Sequence, residues 1–158
     1  MKLAGLALLL LGALVISREY KRYVKKRLAE CEGFISFIKY MRIEMKCFLK
    51  PPREIGRGFC DEAISPFLIA LEKEESLYSA YTAAKDSFSF TVEEKSALGE
   101  LFSSIGVCYA DDAVRMIDGV LERLSVSREA LLTDGMRGVR VFQTVSAAAS
   151  VGLFILLI

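Results

Sequence analysis

Three groups of side chains in this sequence are of types that can do chemistry: Glu72, Glu74 and Glu75, then Glu93 and Glu94, then Asp111 and Asp112. Carboxylates set this close could hold a cation or serve as acid and base. Each group also has a simpler explanation from its place on a helix. The first falls at a helix end and the second in a first turn, where negative charge suits the helix dipole, while the aspartates read as caps. The chain has no histidine, which excludes Ser-His-Asp and Cys-His arrangements and leaves four cysteines as the usual way to bind zinc. Cys31, Cys47, Cys60 and Cys108 form no CxxC pair and sit among apolar neighbours. They read as small buried hydrophobes in a reducing compartment.

Gly56 and Gly58 lack the spacing and the Lys-Ser/Thr end of a phosphate-binding loop. No catalytic residue, metal ligand or cofactor site is therefore expected. The one enzyme reading left is a membrane-bound enzyme acting on a lipid or peptide substrate, with carboxylates such as Glu44 or Asp111 as acid and base.

The elements that would position these groups are helical. From Tyr20 to Leu49 there is no proline, and Val24, Leu28, Cys31, Ile35, Ile38, Met45 and Leu49 recur at helical spacing. Phe34, Phe37, Met41 and Phe48 widen the stripe into the broad apolar face of a bundle helix. Pro51 and Pro52 end it. A short helix with Ile55 and Phe59 on one side is expected next, then one opened by Ser65-Pro66 and anchored by Phe67, Leu68 and Leu71.

Ser76 caps a further helix with Leu77, Tyr81, Ala84 and Phe88 on its face. Thr91 with Glu94 is a capping box ahead of Leu98, Leu101, Phe102 and Ile105. A last helix, started by Asp111 or Asp112, carries Val114, Ile117, Leu121, Leu124, Arg128 and Leu131, and Asp134 to Gly138 forms a joint. No stretch alternates like a half-buried strand, so the fold is expected to be all-α, a helical bundle whose long first and last helices lie antiparallel.

At both ends the chain turns apolar. Leu3 to Ile16 is a run without charge, and Val141 to Ile158 is another. The first is short, about 14 residues or roughly 21 Å against a hydrocarbon core of about 30 Å, so Met1, Lys2 and Ser17 help complete it. A cleaved signal peptide also has a short apolar core, but here no pair of small residues two apart precedes a polar start, and dense cations follow. The expected organisation is a transmembrane helix at 1–17, a helical bundle domain at 18–138 and a second transmembrane helix at 139–158.

Arg18, Lys21, Arg22, Lys25, Lys26 and Arg27 follow the first span, and Arg137 and Arg140 precede the second. Cations flanking both inner ends place the middle domain in the cytoplasm and the protein in the cell membrane as a two-pass hairpin. Six cations next to a span suit anionic headgroups rather than nucleic acid. Residues 18–57 carry 12 basic and 5 acidic side chains, whereas 58–134 carry 6 and 15, so the later half of the domain offers an acidic face. In the spans, Gly5 and Gly12, Ser146 and Ser150, and Ala148 and Gly152 are small residues at spacings that let another helix approach, either the other span or a partner's, including a second copy's.

The short first span, the basic helix leading to Tyr40, Met41, Arg42, Ile43 and Glu44 and then Pro51, the Leu98-Gly99 pair, and the ending Gly152 to Ile158 occur in an order and at intervals that resemble the stage III sporulation protein AB family over nearly the whole chain. The chain departs from that pattern at Arg115, where a glutamine is expected, and at Val141 and Phe142, which replace a leucine-glycine pair. The resemblance implies a mother-cell membrane protein needed for spore development, within a secretion-like channel complex joining mother cell and forespore. It also implies a helical domain like the cytoplasmic domains of inner-membrane platform proteins of type II secretion and type IV pili. Platforms of that kind couple to a cytoplasmic ATPase, here expected to be stage III sporulation protein AA, with other channel subunits around the spans. On that basis the expected function is non-enzymatic assembly, with Glu72, Glu74 and Glu75 as the partner face.

Overall fold

The computed structural model describes residues 2–48, 52–105, 110–135, 137–138, 141, 144–145, 148–149 and 152, with side chains for these except 2–11, 13, 47–48, 52–53, 57, 110 and 111. Every element among them is helical. Helix α1 runs Lys2–Phe48, α2 Pro52–Ile55, α3 Ser65–Lys73, α4 Leu77–Ala84, α5 Val92–Ser104 and α6 Ala110–Ala130, with 3-10 turns at Gly56–Gly58 and Lys85–Ser87 and a π-helical turn at Leu131–Gly135. The chain divides into two compact units, one of Lys26–Glu129 and one combining Met1–Lys25 with Ala130–Ile158.

The Lys26–Glu129 unit is a bundle around a core of aromatic rings. Cys31, Phe34, Ile35, Phe37, Ile38 and Met41 of α1 are all buried, so the middle of both stripes read from the sequence faces inward; Leu28 and Met45 are half-buried, and the Phe48 side chain and Leu49 are not described. The buried side chains meet Phe67 and Leu71 of α3, Leu77, Ala80, Tyr81 and Ala84 of α4, Ala97, Leu98, Leu101 and Phe102 of α5, and Ile117, Val120 and Leu124 of α6. Phe88 and Phe90 flank polar Ser89 on the stretch that follows the Lys85–Ser87 turn. Both rings pack on Phe34, at centroid distances of 5.1 and 5.4 Å. Arg42 pairs with Asp118 and Glu32 with Arg128, so α1 and α6 run antiparallel in this unit.

Two helix starts agree with the local code. Ser76 accepts from the Ser79 amide and opens α4, and Thr91 accepts from the Glu94 amide and opens α5, each with a reciprocal bond that completes a capping box. A third differs. The cap position of α3 is Ile64, without a side-chain bond, and the turn before it is held by Asp61, whose Oδ1 accepts from the Ala63 amide at 2.8 Å. Ser65 is thus already helical, next to Pro66. Helix α6 is described from Ala110, and the cap expected at Asp111 or Asp112 falls at the edge of the described residues, with the Asp111 side chain outside them.

Glycines mark where the bundle is tight and where it is open. A Cβ at Gly33 would sit 2.9 Å from Ile64 Cγ2 and 3.3 Å from Asp61 Oδ1, and Ile64 is fully buried. Overpacking of this kind costs about 1–3 kcal/mol, against about 1 kcal/mol gained by alanine in a helix. Gly33→Ala is therefore expected to lower stability by about 1 kcal/mol. Gly119, in the middle of α6 with nothing within 4 Å of its would-be Cβ, should gain about 1 kcal/mol on the same change. Thermal unfolding of the two variants would show midpoints moving in opposite directions.

In the other unit the last helical segments also run antiparallel to α1. A Cβ at Gly135 would meet Val24 Cγ1 at 2.9 Å, and one at Gly138 would meet the Tyr20 hydroxyl at 3.3 Å. Of the joint expected at Asp134 to Gly138, Asp134 and Gly135 close the π-helical turn, Arg137 and Gly138 are helical and Met136 is not described; the Gly135 backbone lies on the buried Val24 side chain. Among the described residues no helix is long and apolar enough to cross a membrane. The spans expected at 1–17 and 139–158 fall largely on residues or side chains outside the description.

Candidate docking surface

The carboxylates Glu72, Glu74 and Glu75 are gathered at the corner between α3 and α4. Glu72 lies in the last turn of α3, Glu74 is its C-cap, and Glu75 precedes the Ser76 cap of α4. Two features fix this corner. The Ser76–Ser79 capping box closes the α4 side, and on the α3 side Leu71 packs so closely over Gly56 that a Cβ there would run into it. The glycine lets the turn Gly56–Gly58 lie directly on α3. Glu72 and Glu75 are exposed and Glu74 is half-buried. Beside them stand two exposed apolar side chains, Ile69 one turn earlier on α3 and Tyr78 in the first turn of α4, at 53% and 49% exposure. Acidic groups around an aromatic and an aliphatic side chain are a usable protein-binding chemistry.

Where the corner lies in the bundle follows from the polar ties. Arg27 Nη2 donates to both carboxylate oxygens of Glu94, at 3.1 and 3.0 Å, and the Ser127 hydroxyl donates to Glu94 Oε1. The Thr91 amide adds a bond of 2.7 Å. One carboxylate thus joins α1, α5 and α6 at the end where the chain enters at Lys26 and leaves at Glu129. Burial alone would raise the Glu94 carboxyl, but the Ser127 hydroxyl, the Thr91 amide and the Arg27 guanidinium outweigh it and hold it below the usual range. At the same end Glu30, 2% exposed, accepts from the Ser89 amide at 2.8 Å and faces Lys26 at 3.6 Å.

Helix α3 starts at that end, its Ser65 and Pro66 lining a cavity of about 290 Å³ with Lys26 and Glu30. Its 9 residues then carry the chain about 13 Å away. The acidic corner is held at the far end of that rise.

Glu94, read from the sequence as a first-turn carboxylate that closes the Thr91 capping box, does so and is also among the most engaged side chains. Arg27, counted in the sequence with the membrane-flanking cations, is its partner. Of the other flanking cations, Arg18, Lys21, Arg22, Lys25, Lys26 and Arg137 are exposed, with Arg22 on Glu19 at 3.0 Å, and Arg140 lies outside the described residues. Among the small span residues, Gly12 and Gly152 have nothing within 4 Å of a would-be Cβ, and Ala148 is exposed. Ser146 and Ser150 are not described, and Gly5 is described only as helical backbone.

The groups that could act chemically are quiet. Cys31 is buried, donates to the Leu124 carbonyl at 3.4 Å and is pushed by burial up to about 11, so its thiol stays protonated and inert. Cys60, expected to be buried, is exposed in the loop before α3; the Cys47 side chain and Cys108 are not described. Burial also raises Tyr81, whose hydroxyl donates to the Lys95 carbonyl at 3.2 Å. Among the described residues no group of three or more Cys, Asp or Glu is placed to hold a metal ion. Glu44 is buried on α1 and lines none of the cavities of about 670, 490 and 290 Å³, and the Asp111 side chain is not described.

A family model described as stage III sporulation protein AB matches residues 2–158. No curated protein matches the chain, and no solved structure does.

Proposed function

This chain belongs to the stage III sporulation protein AB family, and from that premise we propose that it is a non-enzymatic assembly subunit of a secretion-like channel between mother cell and forespore. Its role is in sporulation, and the family is not a known enzyme family. In the proposed arrangement two spans, 1–17 and 139–158, hold the protein in the membrane with its bundle on the cytoplasmic, mother-cell side. The bundle engages a cytoplasmic ATPase, stage III sporulation protein AA, and the spans engage other channel subunits or a second copy.

The observation that carries this reading is the polarity of the bundle. The chain enters and leaves at one end, tied by Arg27, Glu94 and Ser127, while the acidic corner with Ile69 and Tyr78 is carried away from that end along α3. A platform needs that separation between its anchor and its docking face. The open surfaces at Gly12 and Gly152 suit close approach by a partner's helix.

The test uses the full chain, captured in mild detergent from membranes of sporulating cells and scored for the ATPase by immunoblot. Wild type is expected to recover it. Reversing Glu72, Glu74 and Glu75 to lysine should reduce recovery by roughly tenfold or more, since like charge opposed across an interface costs several kcal/mol. Equal recovery from both proteins would remove the corner as the docking face.

A further inference from the structure

In the unit that combines Met1–Lys25 with Ala130–Ile158, two helical segments change character at the same height. On α1 the exposed side chains Leu14, Val15 and Ile16, at 64%, 61% and 58%, give way at Arg18 to a run in which every side chain to Lys25 is exposed except Val24. On the second segment, read in the opposite direction, exposed Val145 and Val141 give way to exposed Arg137. The Tyr20 hydroxyl lies 3.3 Å from where a Gly138 Cβ would be, so the two transitions are level with one another. Sequence alone places cations near each apolar run; only the contact between Tyr20 and Gly138 aligns them.

We propose that this level is a binding ring for anionic phospholipid headgroups, in which Tyr20 and Tyr23 are the interfacial anchors and Arg18, Lys21, Lys25 and Arg137 select anionic over zwitterionic lipid. The inference rests on the membrane reading above and names the lipid class that the membrane-proximal surface prefers. Tyr20 and Tyr23 are 43% and 48% exposed. Tyrosine is suited to the headgroup level because its ring is apolar and its hydroxyl wet. Exposed apolar side chains bounded sharply by cations mark a surface with an apolar partner that carries negative charge at its rim. The acid within residues 18–25 is Glu19, engaged with Arg22 at 3.0 Å, and the facing segment adds exposed Asp134 beside Arg137, which leaves the level positive with Arg18, Lys21, Lys25 and Arg137 against that one acid.

The sequence contains no tryptophan, so Tyr20→Trp and Tyr23→Trp each place a single reporter in the full chain. The variants are reconstituted into phosphatidylcholine vesicles that contain equal small fractions of pyrene-acyl phosphatidylglycerol or pyrene-acyl phosphatidylcholine. Greater energy transfer from tryptophan to the phosphatidylglycerol probe is expected, weakening with added salt. Neutralising Arg18, Lys21, Lys25 and Arg137 to glutamine should remove the difference, at roughly fivefold in preference per cation. Both reporters should be quenched by lipids brominated near the ester carbonyls.

Equal transfer to the two probes, or reporters emitting as in water from a chain that resists carbonate extraction, overturns the ring and leaves the membrane reading in place. A chain that carbonate extracts overturns both. Loss of the phosphatidylglycerol preference on adding a single-stranded oligonucleotide assigns the cations to nucleic acid and overturns the lipid ring.

Discussion

Phe34→Ala is expected to lower the stability of the bundle by about 3–5 kcal/mol, the range for removing a fully buried ring from a core that cannot collapse around the space. Phe34 has no exposed surface and is the ring on which the bundle converges, with Phe88 at 5.1 Å, Phe90 at 5.4 Å, Phe67 at 5.5 Å, Tyr81 at 6.2 Å and Phe102 at 6.4 Å. These neighbours come from α3, α4, α5 and the extended stretch before α5. No single segment can shift to fill the void without unpacking from another. A domain of this size has about 5–15 kcal/mol in total, so the variant loses a large share of it. The measurement is loss of helical circular dichroism with temperature or denaturant for the full chain in mild detergent. A midpoint no lower than that of Leu132→Ala, a change at a 40% exposed residue, would show that the rings are not the centre of the core.

What the sequence makes legible here acts within a turn or two of helix. The stripes of α1 identify Phe34, Phe37 and Met41 because a residue and its neighbours three and four away share a face whatever covers it. The capping oxygens of Ser76 and Thr91 are legible because the amides they satisfy lie three residues on. Ser65 misleads for the same local reason. It looks like a cap before Pro66, but Asp61 already organises the turn and the helix begins one residue earlier. Cys60 misleads because apolar neighbours in sequence, such as Phe59, turn inward while the thiol between them and Asp61 stays outside. The acidic corner is legible as composition, yet its height along the bundle depends on Gly56 lying against Leu71, which only the folded chain supplies. Least legible is Arg27 with Glu94, 67 residues apart: nothing local separates Arg27 from the five cations before it.

That pair yields the second large effect. Arg27→Gln or Glu94→Gln is expected to cost about 2–4 kcal/mol, toward the lower part of the range for breaking a buried pair because some solvent still reaches it. The side chains are 17% and 11% exposed. Glu94→Gln should be the costlier change, since the carboxylate also receives the Thr91 amide and the Ser127 hydroxyl. A double-mutant cycle isolates the Arg27–Glu94 share.

The pH dependence has a fixed sign. With the folded-state pKa of Glu94 below its unfolded value of about 4.3, the contribution is fully present above that value and is lost as pH falls through the folded pKa. Wild-type stability should therefore decline on acidification below about pH 5, and Glu94→Gln should flatten that limb. An acid limb unchanged in Glu94→Gln would assign it to other carboxylates. The same pair separates two jobs that look alike in the sequence. Glutamine at Lys21 and Lys25, both exposed, should leave the unfolding midpoint of the bundle nearly where it was, whereas glutamine at Arg27 should lower it, because Arg27 fastens the ends of the bundle together and the other two face outward from α1.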